Sequence, residues 1–346
     1  MDSKKDIENQ MKEINLNSSF THFENIKSKY ILKLIFDNLN EKKCFDIIKY
    51  TKKIQQTINK NSNDYKKLLE IEIEIIFDKN KANFEKNNFI NINEKDRKYY
   101  HIYFDDNKEE IKRKDLNKDE KVSKINIIID YQINSLKHLF SCCYGIVSIN
   151  FKKFYRNNII NMNRLFGDNH SLKEINLSNF NTSNVTDMSE MFLGCESLKE
   201  LNLSKFNTYN VKNMSDMFTR CVSLKKLNLS NFNTKNVTHM KSMFYACSSL
   251  ERLNLSNFNT NNVVTMEEMF SMCVSLKELN LSNFKTLKTK NTKKMFFKCK
   301  SLIKLNLANF NFDNVIFVES MFKLCSFNLI MKIKKKFKCI KEKAFE

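Results

Sequence analysis

Six cysteines recur at a fixed interval of 26 residues, and a column of thiols could bind metal or form disulfides. Cysteines of adjacent repeats would lie one strand spacing, about 4.8 Å, apart. Zinc sites favour close pairs such as C-x2-4-C, and the one close pair here is Cys142-Cys143. Each cysteine also shares an apolar face with methionine and phenylalanine, which predicts a buried column of reduced thiols and no metal site. The column contains Cys195, Cys221, Cys247, Cys273, Cys299 and Cys325.

Other arrangements typical of enzymes are missing from the sequence. The five histidines never cluster at the spacing of metal ligands, and His239 occupies a variable position of its repeat. Three glycines cannot supply a dinucleotide-binding loop, a P-loop or a nucleophile elbow. We therefore expect a protein that is not an enzyme and has no catalytic, cofactor-binding or metal-binding residues.

The same 26-residue period relates the leucines from Leu172 to Leu302, and no insertion interrupts it. A fixed period over about 150 residues is typical of a solenoid, in which each repeat is one turn stacked on the last. Within a repeat, Ile175 and Leu177 alternate with polar residues, as in a half-buried strand. Met188, Met191, Phe192 and Cys195 follow helical spacing, so we predict an α/β solenoid of strand-turn-helix units.

Both ends of the array and one inner repeat depart from the pattern. Ile125–Ile129 predicts a first strand that covers the N-terminal end of the stack, and Leu329–Met331 predicts a closing strand. In the repeat 276–301, Thr289 and Thr292 replace Val and Met at core positions. This predicts a bulge or another register, with Leu287 turned inward, or a decayed repeat.

The outward strand positions are the candidate binding surface, because solenoids bind partners along an extended face. Asparagine recurs there, and we interpret half of its role as an amide ladder along the stack. Beside it lies a column whose charge runs minus, minus, plus, plus, minus, plus, which could select a partner electrostatically. The predicted partner-binding residues are Glu174, Asn176, Glu200, Asn202, Lys226, Asn228, Arg252, Asn254, Glu278, Asn280, Lys304 and Asn306.

The repeat sequence LKEINLSNFNTSNVTDMSEMF, with its NFNT corner, resembles the BspA-like leucine-rich repeat family. The resemblance covers about residues 125–325. It implies a leucine-rich-repeat solenoid that binds proteins or surfaces and carries no catalytic residues. Many members are surface proteins, whereas this N-terminus is charged and has no apolar signal region, so we expect a cytoplasmic location, with the cell surface as the alternative.

The region before the repeats predicts short helices, beginning with Ser28 as an N-cap. Two helices ahead of leucine-rich repeats are similar to F-box proteins, although the usual Leu-Pro opening and later tryptophan are missing. Residues 69–77 alternate like a strand but follow a helix-like segment, and their structure is left open. The predicted segments are a flexible N-terminus at 1–24, a mainly helical module at 25–80 with the F-box-like run at 28–58, a small α/β or connector segment at 81–124, the solenoid at 125–330 and a Lys-rich cap or tail at 331–346.

The net charge of +20 is spread along the chain, and only Lys332–Lys343 is dense in lysine. This distribution argues against nucleic-acid binding, and no segment has the roughly 18 apolar residues of a membrane span. The sequence therefore predicts a protein-protein interaction scaffold. The alternatives are an F-box-type substrate receptor that binds a ubiquitin-ligase adaptor through residues 28–58, and a cell-surface adhesin.

Overall fold

A computed structural model of the chain describes residues 56, 67, 69–78, 80, 87–117 and 120–346. The chain divides into two compact units, Met1–Glu70 and Ile71–Glu346. The second unit contains the strands and repeats described below. The F-box-like run at 28–58, apart from position 56, lies outside the described residues and stays a prediction, as does the helical character of the module that contains it.

The described part of the second unit consists mainly of short strands and turns. Two short 3-10 helices lie at Glu94–Tyr99 and Glu342–Ala344, and the α-helix α1 spans Phe327–Lys336. The strands are β1 Ile71–Phe77, β2 Asn87–Asn88, β3 Tyr100–Phe104, β4 Asp115–Leu116, β5 Lys124–Ile129, β6 Ile146–Lys153, β7 Glu174–Asn176, β8 Glu200–Leu201, β9 Lys226–Leu227, β10 Glu278–Asn280 and β11 Lys304–Asn306.

An antiparallel sheet covers the N-terminal end of the repeats. The strand order is β3-β5-β1-β6-β7, and only β6 and β7 are parallel neighbours. The alternating segment at 69–77, left open by the sequence, contains β1, in which Ile71, Ile73 and Ile75 are buried on one side of the sheet while Ile76 is exposed on the other. The predicted first strand exists as β5, but its predicted position is wrong: β1 lies between β5 and the first repeat strand β6.

From β6 onward, successive repeats pair in parallel at the predicted interval of 26 residues. Ile149 lies opposite Ile175, and Leu201 lies opposite Leu227. A second line of parallel bridges runs along another side of the stack, as between Asn213 and His239. The chain therefore forms a repeat fold whose rungs match the sequence period.

The return segment Met188–Cys195, predicted as a helix, is a run of turns, so the predicted strand-turn-helix unit is wrong. Glu190 and Gly194 have left-handed φ angles of 56° and 68°, which a right-handed helix does not contain. The Glu190 amide donates to Ser215 of the next repeat at 2.9 Å, whereas a helical amide bonds four residues back in its own chain segment. These turns bring the same side chains inward as a helix would, and for this reason the apolar spacing predicted a helix. The described repeats are β-rich rather than α/β.

The core between the strands and the turns consists of columns of equivalent side chains. Phe192 and Phe218 stack with ring centroids 5.8 Å apart, and Phe218 stacks on Phe244 at 5.7 Å. The methionines at Met188 and Met191 are fully buried beside them. Because most rungs bury the same residues, each repeat uses its neighbours to complete its core.

A column of buried threonines bonds each corner to the next repeat. The Thr234 hydroxyl donates to the Asn259 carbonyl at 2.9 Å and accepts from the Asn259 amide at 2.7 Å. One hydroxyl therefore satisfies two backbone groups that the fold buries. The same pair of bonds recurs at Thr182, Thr208, Thr260 and Thr286.

The irregular repeat keeps the register of its neighbours, so the predicted bulge or shift is wrong. Asn291 lies opposite Thr265 at the usual interval. Thr289 is fully buried, and its hydroxyl donates to the Val263 carbonyl at 2.8 Å. Leu287 points outward with 57% of its surface exposed, contrary to the predicted inward turn. Because a hydrogen bond satisfies the buried hydroxyl, the stack accepts it without a change of register.

The C-terminal end is closed by a helix and not by the predicted strand. Ser326 caps α1, and Leu329 and Ile333, one helical turn apart, are buried against the last repeat. The lysines in the last turn of α1 suit the negative end of the helix dipole. Phe345 then stacks on Phe322 at 5.5 Å and continues the phenylalanine column by one ring.

Thr234→Val should lower the free energy of unfolding by about 1–3 kcal/mol, because it leaves the buried amide and carbonyl of Asn259 without their partner. The control Thr186→Val removes an exposed hydroxyl that donates to the Ile160 carbonyl. This carbonyl still accepts a hydrogen bond from the Thr186 backbone amide. The control substitution should cost less than about 0.5 kcal/mol. Urea denaturation followed by circular dichroism measures both, and equal losses would contradict a supporting role for the threonine column.

Candidate functional site

The structure places all twelve predicted partner-binding residues on the outward side of the strand ladder, and all are exposed. Those from Glu174 to Asn280, except Asn176, line one open groove of about 1790 Å³. Lys304 and Asn306 line a second, adjoining groove of about 450 Å³. The two grooves share Glu278 and Asn280, so they form one continuous surface, here called the strand groove.

The asparagines of the strand groove have a local structural role. The Asn228 side-chain oxygen accepts the Ser230 amide at 3.0 Å, which turns the chain at the end of the strand. The interpreted amide ladder is seen where Asn176 donates to Asn150 at 2.9 Å. The local bond recurs at Asn176, Asn202, Asn254, Asn280 and Asn306. Since the bond occupies the amide oxygen, the exposed face of each side chain is rich in N–H donors.

A second asparagine column, which sequence reasoning missed, bonds neighbouring repeats. The Asn257 amide donates to the carbonyls of Leu229 and Phe232 at 3.0 and 2.6 Å. The same bonds occur at Asn231 and Asn283. The asparagine that recurs in the tripeptide Ser-Asn-Phe of most repeats was the feature of the sequence that could have revealed this column. Its contacts identify it as a repeat-to-repeat support and leave the outward column as the surface open to a partner.

The charges along the strand groove fall into paired and unpaired sets. Lys304 bonds Glu278 at 2.7 Å and, by donating this hydrogen bond, holds the pKa of that carboxyl below its usual value. Lys277 pairs with Glu251 at 3.1 Å. Among the described residues, Lys226 forms no ion pair. The predicted alternation of sign is therefore partly cancelled within the groove, and the cations in its middle remain available.

Lys225 and the wall formed by α1 also belong to this surface, although the sequence did not indicate them as binding residues. Lys225 is exposed beside Lys226 in the strand groove. Lys332 and Lys336 lie on exposed positions of α1 and line the second groove. The sequence could not place them there because α1 was expected to be a strand.

The cysteine column lies in the core, as predicted. Its members from Cys195 to Cys299 have no exposed surface, and the Cys195 thiol donates to the Phe166 carbonyl of the preceding repeat at 3.2 Å. Burial raises the pKa of the Cys273 thiol to about 12, because the charged thiolate would lose its hydration. Within the described residues, no cluster of three His, Cys, Asp or Glu side chains could hold a metal ion.

A family model matches the chain, and the description of that family names no activity. A family described as "Mycoplasma protein of unknown function, DUF285" matches residues 134–249 and 221–333, which together span more than half of the chain. No curated protein matches the chain. A leucine-rich repeat protein from Bacteroides ovatus is similar in structure, with 19% identity and a TM-score of 0.41 over 57% of this chain; the match spans 46% of that protein. No helix in the described part of the chain is long and apolar enough to cross a bilayer.

Alkylation by iodoacetamide at about pH 8.5 should modify Cys142 and Cys339, which are exposed, and spare Cys247. The thiolate is the reactive form, and the raised pKa keeps the buried thiol protonated until the solution pH reaches the folded-state value. Peptide mapping by mass spectrometry measures each site. In denaturant Cys247 should react fully, and equal reaction of Cys142 and Cys247 in the folded protein would contradict the buried column.

Proposed function

The chain belongs to the DUF285 family of Mycoplasma proteins of unknown function, and from the geometry of its repeats we propose that it is a non-enzymatic scaffold that binds a protein partner. The strand groove is the proposed binding surface. One observation carries this proposal: outward side chains of successive repeats line a continuous open groove of about 1790 Å³. A surface of this kind suits an extended partner better than a small molecule, which proteins usually enclose.

The side chains of the groove suit recognition of a protein. Asn228 and Asn254 can donate to backbone carbonyls of a partner, because their own oxygens are held by the neighbouring serine amides. Lys226 and Arg252 can attract and orient acidic side chains. The stacked repeats hold these groups at fixed intervals, so binding would require little loss of conformational entropy in the groove.

The NFNT corners support the narrower proposal of a BspA-like leucine-rich-repeat solenoid. The turns found in place of helices leave this proposal standing, because it rests on the repeat sequence and on its 26-residue rungs. A cytoplasmic location remains part of the proposal. It rests on the cysteines of the described residues, which are free thiols.

The test is quantitative affinity capture from native cell lysate with the full chain, the groove variant Lys226→Glu/Arg252→Glu, and the control Lys205→Glu/Lys235→Glu. The control lysines are exposed, but they lie outside the strand groove. We expect the native chain and the control to retain the same proteins, and the groove variant to lose at least one of them about tenfold. Identical capture by all three chains would overturn binding through the strand groove. Circular dichroism checks that each variant is folded.

A further inference from the structure

The strand groove has an excess of positive charge at two places. On its first two rungs, Lys173 and Lys199 each stand next to an exposed glutamate, Glu174 and Glu200, so these rungs carry no net charge. One group of cations in excess lies in the middle of the groove and consists of Lys225, Lys226 and Arg252. The other lies at its C-terminal end, where Lys332 and Lys336 project from α1. We infer that the partner segment is an extended acidic peptide with two acidic clusters, one for each group of cations. This inference rests on the proposed function.

The middle group is a local excess of positive charge. Lys226 lies opposite Glu200 in the strand pairing, but no ion pair joins them among the described residues. Two nearby carboxylates are already engaged, since Glu251 bonds Lys277 and Glu278 bonds Lys304, whereas Glu200 forms no ion pair in the described part of the chain. A carboxylate of a partner would therefore meet cations that have no competing ion pair within the groove.

The end group depends on the helical cap. Leu329 and Ile333 fix α1 against the last repeat, which leaves Lys332 and Lys336 on its exposed side. Both lysines line the same groove as Asn306. Lys334 of this helix bonds Glu342 and is therefore engaged elsewhere. The helix thus forms a cationic wall where the ladder of strands ends.

The separation of the two groups sets the spacing of the acidic clusters. The α1 segment takes the place of the rung after Lys304, three rungs beyond Arg252 and four beyond Lys226. At about 4.8 Å per rung, the groups lie roughly 14–19 Å apart. An extended peptide advances about 3.3 Å per residue, so the clusters should stand about five residues apart.

A peptide fits this surface better than a nucleic acid. Glu174 and Glu200 are exposed in the same groove and would repel a continuous polyanion. The N–H donors of the outward asparagines lie between the cations and can bond the backbone carbonyls of an extended peptide. A segment that carries charge only in two clusters avoids the glutamates.

The test uses fluorescein-labelled peptides and the full chain, with binding followed by fluorescence anisotropy. The probe is Glu-Asp, five Ser/Ala residues and Glu-Asp, whose facing acids stand about 20 Å apart when the peptide is extended. The first comparison peptide has four of the Ser/Ala residues moved to its ends, so that its spacer is one residue and its outermost acids are only about 13 Å apart. The second has lysine in place of every acid. A single-stranded oligonucleotide of equal charge is the polyanion. The protein variants are Lys226→Glu/Arg252→Glu, Lys332→Glu/Lys336→Glu and the control Lys205→Glu/Lys235→Glu.

We expect the five-residue spacer to bind about tenfold more tightly than the one-residue spacer, and each groove variant to weaken it about tenfold while the control does not. Equal binding by both spacers, or no effect of Lys332→Glu/Lys336→Glu, would overturn the two-cluster inference. Tighter binding of the oligonucleotide, lost in the same variants, would overturn it in favour of a nucleic acid. If no peptide binds but groove-dependent capture from lysate persists, this inference fails and the proposed function stands.

Discussion

The hydrogen bonding of each repeat to the next is the constraint on which the rest of the structure depends. A threonine hydroxyl at one corner, an asparagine amide at another and the backbone of the turns all bond to a neighbouring repeat, as in Thr234 to Asn259 and Asn257 to Phe232. These bonds join residues about one period apart in the chain. An insertion in one repeat would misalign all of them together, which explains why the interval of 26 residues is kept without a break.

The same constraint decides which polar residues the core can contain. A buried polar group is tolerated where the adjacent rung presents a partner, and the stack presents backbone carbonyls at regular positions. The thiol of Cys195 donates to such a carbonyl, and where Asn169 replaces cysteine its amide donates to the carbonyls of Phe140 and Phe166. Thr289 is accommodated in the same way. The polar columns therefore support the fold and are not chemical sites.

Outward strand positions escape this constraint, because their side chains need no partner inside the stack. Their charge can change from repeat to repeat while the backbone stays the same. Glu200, Lys226 and Glu278, for example, occupy the same position in three different repeats. Function in this protein is therefore expected at the positions where neighbouring repeats differ. The end structures extend the surface, since α1 both closes the core and adds cations beside the last rung.

The residues alone were enough to identify the repeat, its period, its inward leucines and its outward column, because these follow from spacing and from the alternation of a strand. They did not reveal the turns at Met188–Cys195, since a run of turns and a helix bury the same apolar spacing, nor the helical end at Phe327–Lys336. The sequence also did not decide which charges of the strand groove form ion pairs with each other. Lys304 and Glu278 neutralise each other only because stacking brings residues 26 apart in the chain to within 2.7 Å, and no local pattern records that contact.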